Sequence, residues 1–184
     1  MHYEEILGKA RRQLGFVSKI TKEFRDPYTL KALYVSLVRP ILETSSVVWD
    51  PYHATIIDRL EAVQRKFVRF ALRSLPWNDP HNLPPYEARC RLINIETLEH
   101  RRKAAKAVFV FKILAGKIDA PFLLASLDIN VPAYTLRSND LFRLPRPFYN
   151  YDVNEPIRSM MSIFNEAYPN FDFGMSVNSF RNSI

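Results

Sequence analysis

The segment Thr55–Leu75, TIIDRLEAVQRKFVRFALRSL, has the clearest periodic pattern in this chain. When its residues are placed about 100° apart, as in an α-helix, its large apolar side chains lie on one stripe and its cations on a different arc. Asp58 and Glu61 are its only acids. The pattern predicts an amphipathic helix with one buried face and one basic face. The stripe contains Ile56, Leu60, Val63, Phe67, Phe70 and Ala71, and the arc contains Arg59, Arg65, Lys66, Arg69 and Arg73.

The residues before this segment predict two more helices. A first helix is expected from about Tyr3 to Phe24, because apolar residues recur there at helical spacing. Asp26 is expected to start a second helix, since its carboxylate can cap free N–H groups and Pro27 fits the first helical position. Pro40 is expected to kink or end this helix, and the segment Ser45–Pro51 to close it as a buried turn.

The residues after Leu75 predict a proline-rich linker and two further helices. The linker extends to Pro85, and a short helix is expected at Tyr86–Leu92. A longer helix is expected at Glu96–Ala115, with Gly116 as its C-terminal cap. The second half of this segment is apolar nearly all round, which also fits a strand. Its alanine-rich start and its length favour a central buried helix.

The character of the sequence changes after Pro121. Residues 129–152 show weak periodicity and several prolines, which predicts extended structure or a short hairpin. A last helix is expected to begin at Pro156, followed by a polar, frayed end. The chain is therefore predicted to be mainly α, a compact bundle of about five to six helices. Residues 1–128 would form a helical domain, and residues 129–184 a less regular extension with one short helix.

Composition limits the kinds of site that the chain can contain. Its 184 residues include 26 Lys+Arg and 19 Asp+Glu, a net charge of +7 that favours a polyanionic partner. Cys90 is the only cysteine, and no two histidines stand at metal-ligand spacing, so neither a metal site nor a cofactor is predicted. No apolar run approaches the roughly 20 residues that span a bilayer, so no membrane association is expected. The expected location is intracellular, either cytoplasmic or nuclear.

The chain lacks the residue patterns of polymerase, nuclease and nucleotide-binding chemistry. Metal-dependent nucleotidyl transfer needs carboxylates that converge on paired divalent ions about 4 Å apart, yet no two of the nine aspartates are adjacent. The four glycines form neither GxGxxG nor a P-loop, and no GxSxG occurs. We therefore predict no catalytic residues and no intrinsic enzymatic activity.

Two groups of cations are candidates for binding a polyanion. The basic arc of Thr55–Leu75 can line a phosphate backbone, or it can be the solvated face of a basic protein. Arg101 and Arg102 lie in the first turns of a helix, where the helix dipole disfavours positive charge. Either nearby glutamates neutralise them or they bind a partner. Buried packing is the favoured interpretation of Trp49, Trp77 and Tyr86 over stacking on bases, and of Cys90 over a reactive thiol.

Several strings of residues follow one another in a specific order. They are LGFV at 14–17, DPYTLKALY at 26–34, SLVRPILE at 36–43, VVW at 47–49, RLEAVQRKFVR at 59–69, LPPYEARCRL at 83–92, LEHRR at 98–102 and FKILAGKID at 111–119. Together they resemble the C-terminal, post-palm region of non-LTR retrotransposon reverse transcriptases of the jockey type. The resemblance covers nearly the whole chain and weakens after about residue 128. One departure is Ser45-Ser46, where the family often has Tyr-Gly before the tryptophan.

The resemblance implies a role in copying element RNA into DNA. In that family an upstream fingers–palm polymerase performs the chemistry, and the aromatic-Ala-Asp-Asp hallmark of that palm is absent from this chain. This piece would be the thumb, packed on the palm and holding an RNA–DNA or DNA duplex by its backbone. The expected phosphate contacts are Arg59, Arg65, Lys66, Arg69 and Arg73, with Arg101 and Arg102 in addition. The competing hypothesis is a helical protein-interaction module or an inactive remnant of a truncated element.

Overall fold

The computed structural model describes residues 2–75, 84–131, 140–144, 146–167 and 174–182. These residues are mainly helical and contain no sheet, which confirms the predicted mainly-α fold class. None of their helices is long and apolar enough to cross a membrane. In chain order the helices are α1 His2–Ile20, α2 Pro27–Leu37, α3 Arg39–Glu43, α4 Ser46–Trp49, α5 Ala54–Ala71, α6 Tyr86–Leu92, α7 Leu98–Leu114, α8 Pro121–Ser126, α9 Asn150–Val153, α10 Pro156–Ala167 and α11 Val177–Asn182.

The chain divides into two compact units. Unit 1 comprises Met1–Ser46 and Pro51–Arg101, and unit 2 comprises Val47–Asp50 and Arg102–Ile184. The division falls inside α7, so residues 102–128 group with the C-terminal part and not with the helices before them. The physical reason is the apolar second half of α7, which packs against the C-terminal helices. The domain boundary predicted after residue 128 differs from this division and stays a prediction.

Helix α2 begins as its local sequence predicts. The Asp26 carboxylate accepts hydrogen bonds from the backbone N–H groups of Tyr28 at 3.3 Å and Thr29 at 2.8 Å. Pro27 occupies the first turn, where its missing N–H is not needed. The helix ends at Leu37, before Pro40, and α3 follows immediately. The predicted break is therefore confirmed.

The segment Ser45–Pro51 is predicted to be a buried turn, and this is only partly correct. Ser45 has a φ of 57°, the left-handed conformation that ends a run of helix, and Ser46 is buried. The next residues, however, form the short helix α4, in which the side chain of Val48 is 69% exposed. A helical turn directs successive side chains to different sides, so the apolar pair Val47-Val48 does not stay buried together.

Helices α1 and α5 lie side by side in unit 1 and run in the same direction. Glu4 near the start of α1 forms an ion pair with Arg59 near the start of α5. At the other end, the carbonyl of Thr21 after α1 accepts a hydrogen bond from Arg73 after α5. Leu7, Ala10, Leu14 and Val17 of α1 are buried on the inner side of this helix. The core also contains Tyr34 of α2, whose ring stacks on Phe67 of α5 at a centroid distance of 4.1 Å.

The second half of α7 forms the centre of unit 2. Ala107, Val110 and Phe111 are almost completely buried, and the segment is helical, as its alanine-rich start predicted. Gly116 adopts a φ of 63°, and the N–H of Lys117 donates to the carbonyl of Lys112 at 2.8 Å. This left-handed residue closes the last turn of the helix, so the predicted C-terminal cap is confirmed.

The C-terminal part of unit 2 is more regular than predicted. Residues 129–152, expected to be extended, contain the helical turn α9, and Ile129 bridges Phe142 in antiparallel fashion at the base of the expected hairpin. Residues 132–139 lie outside the described residues. The predicted frayed end is wrong for α11, because Phe180 is fully buried and its ring lies 4.4 Å from that of Phe111. A single aromatic residue within a polar string was too weak a signal to reveal this packing.

Candidate nucleic-acid interface

The basic arc of α5 lies on the outer surface of unit 1 and has two edges. Arg59 and Lys66 stand seven residues apart, which places them on one line of α5, and Arg73 follows Lys66 at the same interval just after the helix has ended. Since Arg59 and Arg73 both contact the α1 side, this line faces α1. Arg65 lies on the opposite edge, where its guanidinium stands 5.9 Å from the ring centroid of Tyr86 in α6. The contacts of Arg59 and Arg65 thus mark the two edges of the arc.

Arg59 is engaged in an ion pair across the α1–α5 seam. Its two terminal nitrogens reach both carboxylate oxygens of Glu4, one at a distance of 2.7 Å. The hydrogen bond from Arg59 lowers the pKa of Glu4 below its usual range. Both side chains remain largely exposed, so the pair is accessible to solvent and screened by salt. Arg59 therefore remains accessible to a phosphate, in competition with Glu4.

Arg65 is also paired. Its Nη2 donates to a carboxylate oxygen of Asp58 at 3.1 Å and to the Asp58 carbonyl at 2.8 Å. Asp58 is the only acid on the exposed part of the arc, because Glu61, the other acid of α5, is buried. The two acids of α5 therefore contribute less negative charge to the surface of the arc than their number in the sequence suggests.

Lys66 and Arg69 are the cations of α5 best placed to bind a ligand. Both are exposed, and neither forms an ion pair or a side-chain hydrogen bond with a residue that the structure describes. They stand three residues apart, so their side chains leave the same face of the helix. This pair is the centre of the candidate interface.

Arg73 was predicted to contact phosphate, but the structure gives it a different role. Its guanidinium donates to the carbonyl of Lys22 at 2.9 Å, to those of Thr21 and Phe24, and to that of Phe70 at 2.8 Å. The group also lies 3.9 Å from the centroid of the Phe70 ring. The carbonyls of residues 21, 22 and 24 follow the end of α1, where no further helical turn supplies a donor. Arg73 therefore joins the end of α1 to the end of α5, and it is removed from the predicted phosphate contacts.

Arg101 is held by two carboxylates of unit 1. It binds both oxygens of Glu43, one at 3.1 Å, and one oxygen of Glu96 at 3.2 Å. The hydrogen bond to Glu43 raises the pKa of Arg101. Local neutralisation by Glu96 was one of the two interpretations left open by the sequence. Glu43 lies 58 residues away in the chain, so helical spacing could not have revealed it.

Arg102 is buried inside unit 2 and is a wrong prediction for a phosphate contact. Its side chain is 2% exposed, and its Nε donates to Asp50 at 2.7 Å. Lys106 approaches the other Asp50 oxygen at 2.8 Å and donates to the hydroxyl of Ser159, also at 2.8 Å. A duplex backbone cannot reach a side chain at this depth. The cluster instead joins residues 47–50 to α7 and α10.

The structure adds cations of α1 that the sequence-based prediction did not include. Arg11, Arg12 and Lys19 are exposed, and none forms an ion pair with a described residue. A helical wheel with about 100° per residue gives the order of these cations around α1. Arg11 lies nearest to α5, and Lys19 and Arg12 follow farther around the helix. Their helical spacing is visible in the sequence, but the prediction for this segment rested on its apolar side alone.

A polar pocket of about 360 Å³ lies where α1 and α5 end. Lys22, Arg25 and Arg73 line it together with Glu23 and Ser74. The Ser74 hydroxyl donates to the carbonyl of Arg25 at 3.1 Å, and Arg73 binds the carbonyls after α1. The pocket extends the basic surface beyond the helices. We call the exposed cations Arg11, Arg12, Lys19, Lys22, Arg25, Lys66 and Arg69 the α1–α5 surface.

A buried polar network supports this surface from below. Gln64 accepts from the Tyr34 hydroxyl at 3.0 Å and donates to the Tyr86 oxygen at 2.9 Å, while Tyr86 donates to Glu61 at 2.7 Å. Burial raises the pKa of Tyr86 and also that of the Cys90 thiol. Tyr86 is thus a structural residue, Cys90 is buried as expected, Trp49 is half-buried, and Trp77 lies outside the described residues.

No group of three or more potential metal ligands occurs among the described residues. Comparison with known proteins identifies no family model, curated protein or solved structure that matches this chain. The resemblance to jockey-type reverse transcriptases, and every function that it implies, therefore stays a prediction.

Proposed function

We propose that this chain is a non-catalytic, thumb-like part of a jockey-type reverse transcriptase that grips a template–primer duplex by its phosphates. The observation that supports the proposal most strongly is the pair Lys66 and Arg69, which are exposed and unpaired among the described residues. They lie beside further unpaired cations of α1. Such a surface attracts a polyanion and has no bias toward any base sequence.

The charge balance of the α1–α5 surface supports this role. Two acids near it, Glu4 and Asp58, are already paired with Arg59 and Arg65, and Glu23 is a third acid, in the pocket beside Lys22 and Arg25. The cations between these pairs therefore keep their positive potential. Arg11 and Lys19 stand eight residues apart in α1, so this part of the surface is about 12 Å long. Successive phosphates of one strand are spaced about 3.4 Å along the axis of a duplex, so this length spans about three of them.

The proposed set of phosphate contacts contains fewer residues than the set predicted from the sequence. Lys66 and Arg69 are the central contacts and Arg65 a flanking one. Arg59 contributes when the duplex competes with Glu4. Arg73, Arg101 and Arg102 act in the fold and are not part of the proposed set. In a longer protein the upstream palm would supply the catalytic carboxylates.

Fluorescence anisotropy with an RNA–DNA hybrid at two salt concentrations tests the proposal. The unmodified chain should bind, and its affinity should fall steeply with salt. Replacing Lys66 and Arg69 with alanine should weaken binding and reduce the slope of log K against log salt by about 0.9 for each phosphate that the variant no longer neutralises. Unchanged affinity and slope in this double variant would contradict the proposal.

A matched control separates local contacts from overall charge. Arg91 and Lys117 are also exposed, and their replacement with alanine removes the same total charge. That double variant should retain most of the salt slope. An equal reduction of the slope in both variants would show a diffuse charge effect and no defined interface.

The competing hypothesis of a protein-interaction module has its own structural support. Phe122 is 83% exposed and Phe148 is 93% exposed, both in unit 2. Exposed apolar side chains of this kind mark a surface that meets another protein where they form a contiguous patch. Light scattering of the purified chain distinguishes the two: a monodisperse chain that binds nucleic acid favours the thumb, and self-association without binding favours a module or a remnant.

A further inference from the structure

Helix α1 presents two large apolar side chains to solvent next to the α1–α5 surface. Phe16 is 55% exposed and Ile20 is 53% exposed. They are four residues apart and so are neighbours on one face of the helix. The core side of α1, formed by Leu7, Ala10 and Val17, points elsewhere. Packing within the fold therefore covers only about half of each of these two residues.

Unpaired cations flank the aromatic ring. Arg12 precedes Phe16 by four residues and Lys19 follows it by three, so both side chains lie beside the ring. Both cations are exposed, and neither is ion-paired with a described residue. An exposed phenyl ring between two such cations combines a stacking surface with two phosphate contacts.

Phe16, Ile20 and the two flanking cations lie at the edge of the surface that is proposed to bind the duplex. Moving around α1 from the edge next to α5, Arg11 comes first, then Lys19 and Arg12, and then Phe16 and Ile20. The ring therefore borders the basic surface on the side away from α5. A strand that leaves a duplex held along α5 would pass over Arg12 and Lys19 and reach Phe16.

We propose that Phe16 is a stacking platform for unpaired bases of a single-stranded extension, with Arg12 and Lys19 binding the adjacent phosphates. Every base has a π-face, so the platform accepts any sequence, and stacking on one aromatic side chain typically strengthens binding on the order of tenfold. This inference rests on the proposed duplex grip. It extends the ligand from a duplex to a junction between duplex and single strand.

Two other occupants fit the group less well. A lipid surface requires a wide apolar helix face, and the wide apolar face of α1 is buried within unit 1. Lysine is depleted at the core of protein interfaces, whereas here Lys19 lies one helical turn from the exposed ring of Phe16. The charge complementarity favours a nucleic acid, in which bases and phosphates alternate as the side chains do.

Three ligands and three variants test the inference by anisotropy titration. The ligands are a blunt RNA–DNA hybrid, the same hybrid with a short oligo-dT extension, and the same hybrid with an abasic extension of equal length. The abasic extension keeps the phosphates and removes the bases. The unmodified chain should bind the dT extension about tenfold more tightly than the abasic one. Phe16→Ala should abolish this difference, and Phe16→Trp should preserve it.

Phe122→Ala is the matched control, because it removes another highly exposed phenyl ring from a different unit. It should leave the preference for bases unchanged. Equal affinity of the unmodified chain for the dT and abasic extensions would overturn the inference, and so would a preference that survives in Phe16→Ala. If the blunt hybrid still binds with steep salt dependence, the proposed function stands without the platform. If the blunt hybrid does not bind at all, the proposed function itself fails.

Discussion

Glu61 of α5 accepts a hydrogen bond from the backbone N–H of Glu99, at 2.7 Å, in the first turn of α7. The two residues are 38 positions apart in the chain. The first N–H groups of a helix have no intrahelical acceptor and form its positive end, so a carboxylate from another helix stabilises them. The same side chain accepts the Tyr86 hydroxyl. Glu61 thus links α5, α6 and the start of α7 through a single buried side chain.

Replacing Glu61 with glutamine should lower the free energy of unfolding by about 1–3 kcal/mol. Glutamine keeps the shape of the side chain but lacks the negative charge that faces the N–H of Glu99. Urea unfolding followed by circular dichroism gives the measurement. Glu87→Gln is the control, because Glu87 is exposed in α6 and its replacement should change stability little. Equal effects of the two substitutions would contradict the capping role.

Replacing Asp50 with alanine should be among the most destabilising single changes in unit 2. The substitution leaves Arg102 and Lys106 buried without their carboxylate, which costs about 3–5 kcal/mol in comparable cases. Thermal unfolding measures the effect. Asp58→Ala removes a carboxylate from an exposed pair instead and should cost less than about 1 kcal/mol. A small effect at Asp50 would show that the buried cluster is not held as the structure has it.

Arg73→Ala should lower stability without removing a phosphate-binding group. The guanidinium donates to carbonyls after α1, and hydrogen bonds from a charged donor typically contribute about 1–3 kcal/mol. The salt slope of hybrid binding should change less than in the Lys66 and Arg69 double variant. Arg73→Lys keeps the charge but not the planar fork, and it should be destabilised as well. A fully stable Arg73→Lys chain with weakened binding would restore Arg73 as a phosphate contact.

The cap of α2 should make stability depend on pH. Hydrogen bonds from the Thr29 hydroxyl and from the N–H groups of Thr29 and Tyr28 lower the pKa of Asp26. The stabilisation from an acid with a lowered pKa is complete above its unfolded pKa and is lost as pH falls through the folded value. Asp26→Asn retains a good cap that does not titrate. Acid unfolding should therefore be shallower in Asp26→Asn than in the unmodified chain, and identical curves would contradict the role of the carboxylate.

Two glycines should respond to alanine in opposite directions. Gly15 lies within α1, and a Cβ atom added there meets no heavy atom within 4 Å. Gly15→Ala should stabilise the chain by about 0.5–1 kcal/mol, since glycine is a poor helix former. Gly116 has a φ of 63°, so Gly116→Ala should destabilise by about 1 kcal/mol although space is available. The denaturant midpoint of unfolding should rise in Gly15→Ala and fall in Gly116→Ala.

Much of the local structure was predictable because it depends on neighbours in the chain. The helix α6 begins and ends where expected, at Tyr86 and Leu92. Asp26 and Gly116 act at the two ends of helices as their types predict, since capping involves only residues within one turn. The apolar stripe of α5 likewise predicts which face of the helix is buried. It does not predict which residues of other helices pack against that face.

The sequence by itself therefore determined the mainly-α fold class, the amphipathic character of α5 and the caps of α2 and α7. Only the tertiary structure decided which arginines face solvent. Arg101 pairs with Glu43, Arg102 pairs with Asp50, and Arg73 donates hydrogen bonds to the carbonyls after α1. In each case the partners are separated by about fifty residues of chain or more. Helical periodicity places a side chain on a face, but the partner on that face is set by how helices distant in sequence pack against each other.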